Sequence, residues 1–582
     1  MLETGLAHHR AGQRAEAERL YRQVLAADAS HADALHLLGV LAHQAGQNDR
    51  AVGMIAQAIG ISPQIAAYHA NLGTALKALG RLDEAVAAYN NALRLKPDFA
   101  EAHVDLSNAL QDLGQLDDAV AACKNALRLK PDFVVAHYNL GNMLKALGCL
   151  DDAVASYNNA ISCKPDFAEA HCSLGTTLKA LGRLDEAITA YDNAILCKPD
   201  FAEAHSNLGT ALQELGRLDE AVSAYNTAIL CKPDFAEAHS NLGNTLKNLG
   251  RLDEAIAAYN TAIGCKPDYA QAHFNLGIGL LLAGDFSNGW TEYDWRWRGG
   301  VKEQKPKDVS TPEWRGEDLN GRTILLHAEQ GLGDTIQFCR YAPLVAASGG
   351  RVVLEAPRSL LRLLAGLQGV DRLIATGDPL PAFDFHCKLM SLPNVFGTTL
   401  ATIPASIPYL PVEAALRQHW QQRLGPVAGR RVGIVWAGNP KHQNDRNRSL
   451  PFTALAPLWN IPGIDWYSLQ VGERRADLDA ALLGTIEDLS PDLDDFAETA
   501  AAISQLDLLL TVDTAVAHLA GAIGCPAWVM LPLAPDWRWL TERQDNPWYP
   551  SARLFRQAER GAWGGVVHNI AAALAERWNL KK

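Results

Sequence analysis

The sequence predicts an all-α superhelix of repeats followed by an α/β domain with two lobes, and three observations support this fold class. Glycine and proline recur every 34 residues through the first half of the chain. After residue 321, short apolar runs alternate with segments of helical spacing. No tryptophan precedes Trp290, and all 14 lie from there onward, so the composition changes where the periodicity stops. The chain therefore divides into a helical array and a parallel-sheet region.

Bulk composition narrows the class of protein. The 582 residues, of which 48% are hydrophobic, are enough for several domains with their own cores. A net charge of -13 argues against a nucleic-acid partner, because contact with phosphates needs a basic surface. The first residues lack the apolar run of a signal peptide, and glycine and proline break the longest charge-free apolar stretch, 514–535. We expect a cytoplasmic protein without a membrane span.

The 34-residue period defines the first half of the chain. Glycines 34 residues apart run from Gly12 to Gly284, and prolines at the same step run from Pro97 to Pro267. Each unit consists of two amphipathic helices separated at the glycine and closed by the proline. The unit "AYHANLGTALKALGRLDEAVAAYNNALRLKP" resembles the tetratricopeptide repeat in its spacing of small and aromatic residues. We assign residues 1–298 to such an array, ending in a capping helix.

Polar residues form regular rows on the first helix of each unit. Asn71, Thr74 and Lys77 lie on a face away from the leucine core. Side-chain amides at regular spacing can bond the backbone of an extended peptide, whereas a merely solvated face would carry Lys and Glu more often. We therefore predict that a polypeptide acceptor binds at Asn71, Asn139, Asn207, Asn241 and Asn275. The array is similar in this respect to the repeats of O-linked N-acetylglucosamine transferases.

The second half begins after an aromatic segment, "LLLAGDFSNGWTEYDWRWRGG", in which Trp290, Trp295 and Trp297 are expected to cap the open end of the array. A charged linker, 299–321, follows. Seven strands are then predicted: "RTILLHA", "RVVLEAP", "DRLIAT", "RVGIVWAG", "DWYSLQ", "LDLLLTVD" and "PAWVML". They imply a first lobe, 322–412, an interlobe linker, 413–429, and a second lobe, 430–582. Ligands of such sheets bind at the carboxyl ends of the strands.

The first loop at a strand end is "AEQGLGDTIQF". It lacks the third glycine of a dinucleotide-binding fingerprint and the Lys-Ser/Thr ending of a P-loop. What remains is a tight turn through Gly331 and Gly333 and a carboxylate, Asp334, at a helix start. Two roles are open for Asp334 on these residues alone, an N-cap or a chemical group.

Two further loops carry charge at strand ends. In "AGNPKHQNDRNRSLPF", Lys441, Arg446 and Arg448 precede a helix predicted to start at Ser449, and cations beside helix amides suit a diphosphate. In "TVDTAVAHLAGAIGCP", a strand ends at Asp513 and a helix starts. Asp513 would repel a diphosphate, so helix capping or a bond to a sugar hydroxyl is favoured for it.

The motifs "GDTIQF", "RSLP" and "DTAVAHLAGAIGCP" resemble those of the heptosyltransferase family, nucleotide-sugar enzymes with two Rossmann-like lobes in the GT-B arrangement. The resemblance implies a GT-B domain in which Asp334 is the base and Arg448 replaces the lysine of the second-lobe loop. Ala515 departs from the glycine of the family's Asp-Thr-Gly motif. The donor-binding residues that it implies, together with the loop residues above, are Gly333, Lys441, Arg446, Arg448, Ser449, Gly472, Glu473, Asp513, Thr514 and His518.

Sugar transfer from a nucleotide needs a carboxylate to take the acceptor proton and fixed positive charge for the departing diphosphate. Asp334 and Arg448 would fill these roles without a metal. The one tempting Asp-x-Asp, at Asp492 and Asp494, is better explained as an acidic helix start. We expect metal-independent inverting transfer, with a nucleotide sugar of unknown identity as co-substrate and no further cofactor.

Three functions remain open. The first is a protein glycosyltransferase acting on Ser/Thr hydroxyls of a polypeptide held by the repeats, as the resemblance to O-linked N-acetylglucosamine transferases and repeat-bearing flagellin glycosyltransferases implies. The second is a transferase acting on lipopolysaccharide or another saccharide. The third is a non-catalytic scaffold with a degenerate transferase domain, which the departure at Ala515 suggests.

Overall fold

The computed structural model describes residues 1–298, 311–442, 444–478 and 485–579. The chain forms two compact units, Met1–Pro233 and Asp234–Lys582. The helix pairs of the repeats run to Tyr293, and the last two pairs belong to the same compact unit as the α/β region. Of the predicted linker, 299–310 lie outside the described residues.

The repeats are built of helix pairs. Their helices are α1 (Leu2–Arg10), α2 (Arg14–Ala27), α3 (Ala32–Gln44), α4 (Asn48–Ile61), α5 (Ala66–Ala78), α6 (Leu82–Leu95), α7 (Ala100–Asp112), α8 (Leu116–Leu129), α9 (Val134–Ala146), α10 (Leu150–Cys163), α11 (Ala168–Ala180), α12 (Leu184–Cys197), α13 (Ala202–Glu214), α14 (Leu218–Cys231), α15 (Ala236–Asn248), α16 (Leu252–Cys265), α17 (Ala270–Ala283) and α18 (Phe286–Tyr293). The glycine that ends each first helix, from Gly12 to Gly284, has a φ between 74° and 87°. Only glycine adopts this left-handed conformation without strain, which explains its period.

A close contact within each pair explains a second glycine of the repeat. A Cβ atom on Gly73 of α5 would lie 2.7 Å from the ring of Tyr89 on α6. Gly175 and Tyr191 stand in the same relation, again at 2.7 Å. The tyrosine ring therefore fills the space that a side chain would take, and it is fully buried.

The first lobe is a parallel sheet of four described strands, β1 (Thr323–His327), β2 (Arg351–Ala356), β3 (Arg372–Ala375) and β4 (Phe385–Lys388). Their order is β3-β2-β1-β4, with Leu325 of β1 opposite Val353 of β2. The helices of this lobe are α19 (Leu332–Phe338), α20 (Ala342–Ala347), α21 (Leu361–Leu364) and α22 (Leu392–Val395).

The second lobe is a parallel sheet of six described strands, β5 (Arg430–Val435), β6 (Ile464–Ser468), β7 (Ile486–Asp488), β8 (Leu508–Val512), β9 (Ala527–Leu531) and β10 (Ala552–Arg556). Their order is β10-β9-β8-β5-β6-β7. The helices are α23 (Ala414–Leu424), α24 (Asp445–Arg448), α25 (Phe496–Ile503), α26 (Ala515–Ile523) and α27 (Trp563–Trp578). Both sheets have the doubly wound strand order, whose direction reverses between β1 and β4 and between β5 and β8.

The predicted fold class, an all-helical repeat array followed by an α/β domain, is confirmed, and each of the seven predicted strands is present. Strands β4, β7 and β10 were not predicted. The segment 413–429, predicted as a linker, contains helix α23. Trp420 of that helix is buried and donates its indole N–H to Glu498 of α25 at 2.8 Å, so α23 packs on the second lobe.

The end of the repeat array is covered by the first lobe and by loops of the second. Trp290 of α18 is buried, donates its indole N–H to the carbonyl of Thr398 at 2.9 Å, and meets the ring of Trp537 edge-on at 5.2 Å. Arg296 forms a buried ion pair with Glu329 at 3.0 Å. The tryptophan-rich segment therefore joins the repeats to the lobes, where the sequence predicts a cap.

Candidate functional site

A cavity of about 1360 Å³ lies within the unit Asp234–Lys582, where the loops after β1, β5, β6, β8 and β9 meet helices α15 and α17. Small-molecule sites commonly occupy ~300–1000 Å³, so this cavity has room for a larger ligand. Cationic side chains outnumber anionic ones in its lining, although the chain as a whole has a net charge of -13. The charged lining residues are Lys247, Lys441, Arg446, Arg448, Arg538 and Arg560, against Asp334, Glu473, Asp513 and Asp536.

Asp334 lies in the first turn of α19, at the wall of the cavity. One carboxylate oxygen accepts from the backbone N–H of Gly331 at 2.7 Å, and the other accepts from the guanidinium of Arg538. Burial raises the pKa of Asp334, although the Arg538 charge opposes this. The carboxylate thus stabilises the helix start, where Gly331 is the N-cap. Its role as a base stays a prediction.

Arg538, in the loop after β9, was not identified from the sequence. It donates to the side chains of Gln337 and Asp536, each at 2.8 Å, as well as to Asp334. Its side chain is only 7% exposed. Because Asp334 and Gln337 belong to the first lobe, Arg538 joins the two lobes at the cavity wall. The sequence signal was weak, since Asp334 and Arg538 are 204 residues apart.

Gly333 and His518 bring the two lobes into contact. A Cβ on Gly333 would lie 2.7 Å from the His518 ring and 3.4 Å from the Cα of Ala515. His518 is buried, with Nδ1 3.0 Å from the hydroxyl of Tyr549. Burial and nearby arginines lower its pKa to about 3, so the ring is neutral. The contact between the lobes accounts for the burial of both residues, and their contact with a donor stays a prediction.

The start of α26 faces the cavity with Asp513 and Thr514 beside it. Thr514 is the N-cap residue, but its side chain makes no capping bond and lies 3.3 Å from the hydroxyl of Thr511. The amide of Ala517 donates to the carbonyl of Thr514 at 3.0 Å, and the amides of Ala515 and Val516 before it are those that can bind an anion. Burial and the neighbouring Asp536 carboxylate raise the pKa of Asp513 to about 6.

The loop after β5 corrects one prediction. No helix starts at Ser449, because α24 ends at Arg448 and the next helical segment is a 3₁₀ helix, Phe452–Leu458. The Ser449 hydroxyl donates to Asp445 at 2.8 Å and accepts from the N–H of Gly438 at 2.9 Å, so it ties the loop together. Arg448 lines the cavity, with Nε 3.6 Å from Asp445. Within the described residues its buried Nε has no hydrogen-bond partner.

The rim of the cavity contains the other predicted donor-site residues. Lys441 and Arg446 are exposed there, as are Gly472 and Glu473 after β6. Gln470, which was not predicted, is buried behind them and accepts from the N–H groups of Trp436 and Ala437 at 3.1 and 3.0 Å. This glutamine holds the loops after β5 and β6 together.

Some asparagines of the predicted peptide-binding row form hydrogen bonds to the preceding repeat. Asn71 lies 2.7 Å from Nε2 of His36, and Asn139 donates to Asn108 at 2.7 Å. Asn207 donates to the Cys172 sulfur at 3.6 Å. An amide has two N–H donors and an oxygen, so each of these residues can still bind a peptide backbone.

Asn275, in the unit Asp234–Lys582, is more deeply buried than the other asparagines of the row. It is only 5% exposed, and it donates to Ser240 at 3.4 Å and accepts from Gln271 at 3.0 Å. Its side chain therefore serves contacts within the repeats and offers a peptide little surface. Asn241 of the same unit is partly exposed and remains available for the predicted contact.

In the part of the chain that the structure describes, no three histidine, cysteine, aspartate or glutamate side chains are grouped so as to hold a metal ion. Asp492 of the Asp-x-Asp pair is bound to Arg423 at 3.2 Å. Among the described helices, none is both long and apolar enough to cross a membrane.

Comparison with known proteins identifies the repeats. A model described as TPR repeat matches 73–114, 107–148, 141–182 and 177–216, and one described as Tetratricopeptide repeat matches 2–65, 206–270 and 240–288. Protein FlbA of Caulobacter vibrioides is 28% identical over 327 residues, 51% of this chain and 54% of its own length. The chain thus spans about half the length of this curated relative.

Two solved structures are similar to shorter parts of the chain. YrrB, described as a TPR protein with an unusual peptide-binding site, is 24% identical with a TM-score of 0.29, over 32% of this chain and 96% of its own. MamA is 28% identical with a TM-score of 0.27, over 28% of this chain and 97% of its own. Together with the sheets described above, the repeat matches show that tetratricopeptide repeats occupy about the first 290 residues and precede an α/β region of parallel sheets.

Proposed function

We propose that the protein is a glycosyltransferase that moves a sugar from a nucleotide-sugar donor to a Ser/Thr hydroxyl of a polypeptide held by the repeats. One observation carries this proposal. A single cavity presents the carboxylate of Asp334 from the first lobe together with Arg448 and the start of α26 from the second lobe. These are the groups that accept a proton and neutralise a departing diphosphate.

The donor would lie where the strand order of the second sheet reverses, between β5 and β8. The loops that hold Arg448 and Thr514 follow those two strands. The diphosphate would accept from the first amides of α26 and from the Arg448 guanidinium, with Lys441 and Arg446 at the rim. Gly472 and Glu473 would meet the ribose, as the resemblance to the heptosyltransferase family implies.

The transfer step needs three changes at once. The acceptor oxygen forms a bond to the anomeric carbon, the bond from that carbon to the diphosphate breaks, and the acceptor proton passes to the carboxylate of Asp334. Attack opposite to the leaving group inverts the configuration. Burial raises the pKa of Asp334 and so favours proton uptake, while the Arg538 charge opposes that rise. The cations and amides stabilise the negative charge that develops on the leaving group without a metal.

The repeats supply the acceptor side of the proposal. Tetratricopeptide repeats serve as protein-interaction surfaces, and the amides of Asn71, Asn139, Asn207 and Asn241 could bond a backbone independently of its sequence. A saccharide transferase would use the same cavity but not these amides, and a scaffold would bind no donor. The cytoplasmic location expected from the sequence remains a prediction.

The proposal can be tested with the full-length protein. It would be incubated with a panel of nucleotide sugars and with proteins from its host, and intact-mass spectrometry would report added sugar. We expect a hexose-sized or related mass increase on protein with at least one donor, and loss of that increase in Arg448→Ala. Sugar found only on lipid or polysaccharide would select the saccharide alternative. If none of the nucleoside diphosphates binds in calorimetry, the result would favour the non-catalytic scaffold.

A further inference from the structure

One basic residue of the cavity lining comes from the repeats. Lys247, in the last turn of α15, lines the cavity together with Asn248 of the same helix and Phe274 and Ile278 of α17. The other basic lining residues belong to the second lobe. The repeats therefore contribute a positive charge to the site that the lobes form.

Two of the three equivalent lysines in other repeats, Lys77 and Lys179 but not Lys145, have an acidic partner of a kind that Lys247 lacks. Lys77 pairs with Asp112 at 3.2 Å, and Lys179 pairs with Glu214 at 3.6 Å, in each case with an acid 35 residues later. The residue 35 positions after Lys247 is Leu282, which is only 3% exposed. In the described residues, Lys247 is not within ion-pair distance of any carboxylate.

The surroundings of Lys247 favour an anionic ligand. Burial lowers the pKa of this lysine, and the charge of Asp536 opposes the shift. Asp536 is already bonded to Arg538 at 2.8 Å. A partly buried ammonium without a close counter-ion is unfavourable, so a bound anion in the cavity would stabilise it.

We propose that Lys247 binds the diphosphate of the donor, so that the donor site of this protein is completed by the repeat array. This inference rests on the proposed function and extends it. Lys247 lines the cavity from the repeats and Arg448 lines it from the second lobe, so a diphosphate bound by both would connect the lobe to the repeats. Binding of the donor and placement of the repeats against the lobes would then depend on one another.

Calorimetry with ADP, GDP, UDP, CDP and inorganic pyrophosphate tests this on the full chain. Lys247→Met keeps an unbranched side chain of similar length but removes the charge, and it should weaken binding of the preferred probe by about 10- to 100-fold. Lys247→Arg should recover most of the affinity. Lys179→Met is the matched control, because it removes the equivalent lysine from a repeat within Met1–Pro233, and it should bind as the parent does.

The outcomes separate this inference from the proposed function. If the parent binds none of the probes, the proposed function fails. If the parent binds and Lys247→Met binds equally well, only the role of Lys247 is overturned. The role of Lys247 is also overturned if Lys247→Met changes the KM for the acceptor while diphosphate affinity is unaltered. Thermal unfolding identifies a variant that does not fold, and Lys247→Gln then replaces Lys247→Met in the comparison.

Discussion

Replacing Asp334 with asparagine separates its two roles, because the structure assigns a bond to each carboxylate oxygen. Asparagine has one oxygen, so either the Gly331 amide or the Arg538 guanidinium loses its acceptor. An unsatisfied donor costs about 1–3 kcal/mol. Arg538 keeps Asp536 at 2.8 Å, so its charge is still compensated. We expect unfolding a few degrees below the parent, and not the unchanged stability that a simple N-cap would give.

The catalytic effect should be much larger than the loss of stability. Loss of a general base lowers the rate by about 100- to 10,000-fold. Single-turnover transfer from the identified donor would measure the rate, and calorimetry would show that diphosphate affinity is unchanged. Burial raises the pKa of Asp334, so kcat/KM of the parent should fall as the pH decreases through that raised value, at a higher pH than for an ordinary aspartate.

Gln337→Leu is the matched control. Gln337 is fully buried, bonds Arg538 at 2.8 Å and lies outside the cavity lining. Its loss also leaves Arg538 with an unpaired donor, so stability should fall by a similar amount while transfer stays within about tenfold of the parent. A folded Asp334→Asn protein with the parent rate would refute the base. Equal loss of rate in Gln337→Leu would show that Asp334 acts only through the packing of Arg538.

Three other variants test separate parts of the site. Arg448→Ala should weaken nucleoside diphosphate binding and Arg448→Lys should recover part of it, since a charge remains without the two-pronged geometry; equal affinity in all three proteins would exclude this residue. The pKa of Asp513 is raised to about 6, so its stabilising contribution is present below about pH 4 and is lost as the pH rises through 6. Asp513→Asn should therefore raise the free energy of unfolding at pH 7.5, by at most about 3 kcal/mol, and should not raise it at pH 4. Thermal unfolding at the two pH values checks this, and stabilisation at pH 4 alone would contradict the raised pKa. Converting Asn139, Asn207 and Asn241 to alanine should weaken acceptor binding, measured by peptide titration, and leave diphosphate affinity unchanged; unaltered acceptor binding would exclude the peptide groove.

The sequence predicted the elements that have a strong periodic signal. The glycine period placed the helix pairs, and apolar runs such as "RTILL" placed the buried parallel strands. Strands β4 and β7 were missed because they are only four and three residues long and half or more of their residues are polar or charged. The helix start at Ser449 was wrong because the serine hydroxyl bonds Asp445 and Gly438 and does not cap a following helix.

Residues whose importance depends on distant partners could not be predicted. In the sequence, Arg538 is a charged residue between two tryptophans, and only the folded chain shows that its guanidinium bonds Asp334. Lys247 has nearly the same local sequence as Lys179, and it differs because Leu282 occupies the place of Glu214 and because the fold brings Lys247 to the cavity. Asp334 and Arg448 were proposed from the sequence because they follow buried strands, where parallel sheets bind their ligands, and both line the cavity.

The position of Trp290 limits how this chain can be shortened or recombined. A fragment that begins after the repeats, at about residue 311, would expose the surfaces around Thr398 and Trp537 that Trp290 covers. Such a fragment would carry an apolar patch prone to self-association. The chain should accordingly tolerate insertion or deletion of whole repeats before residue 234. The last two helix pairs, in contrast, must stay together with the α/β region.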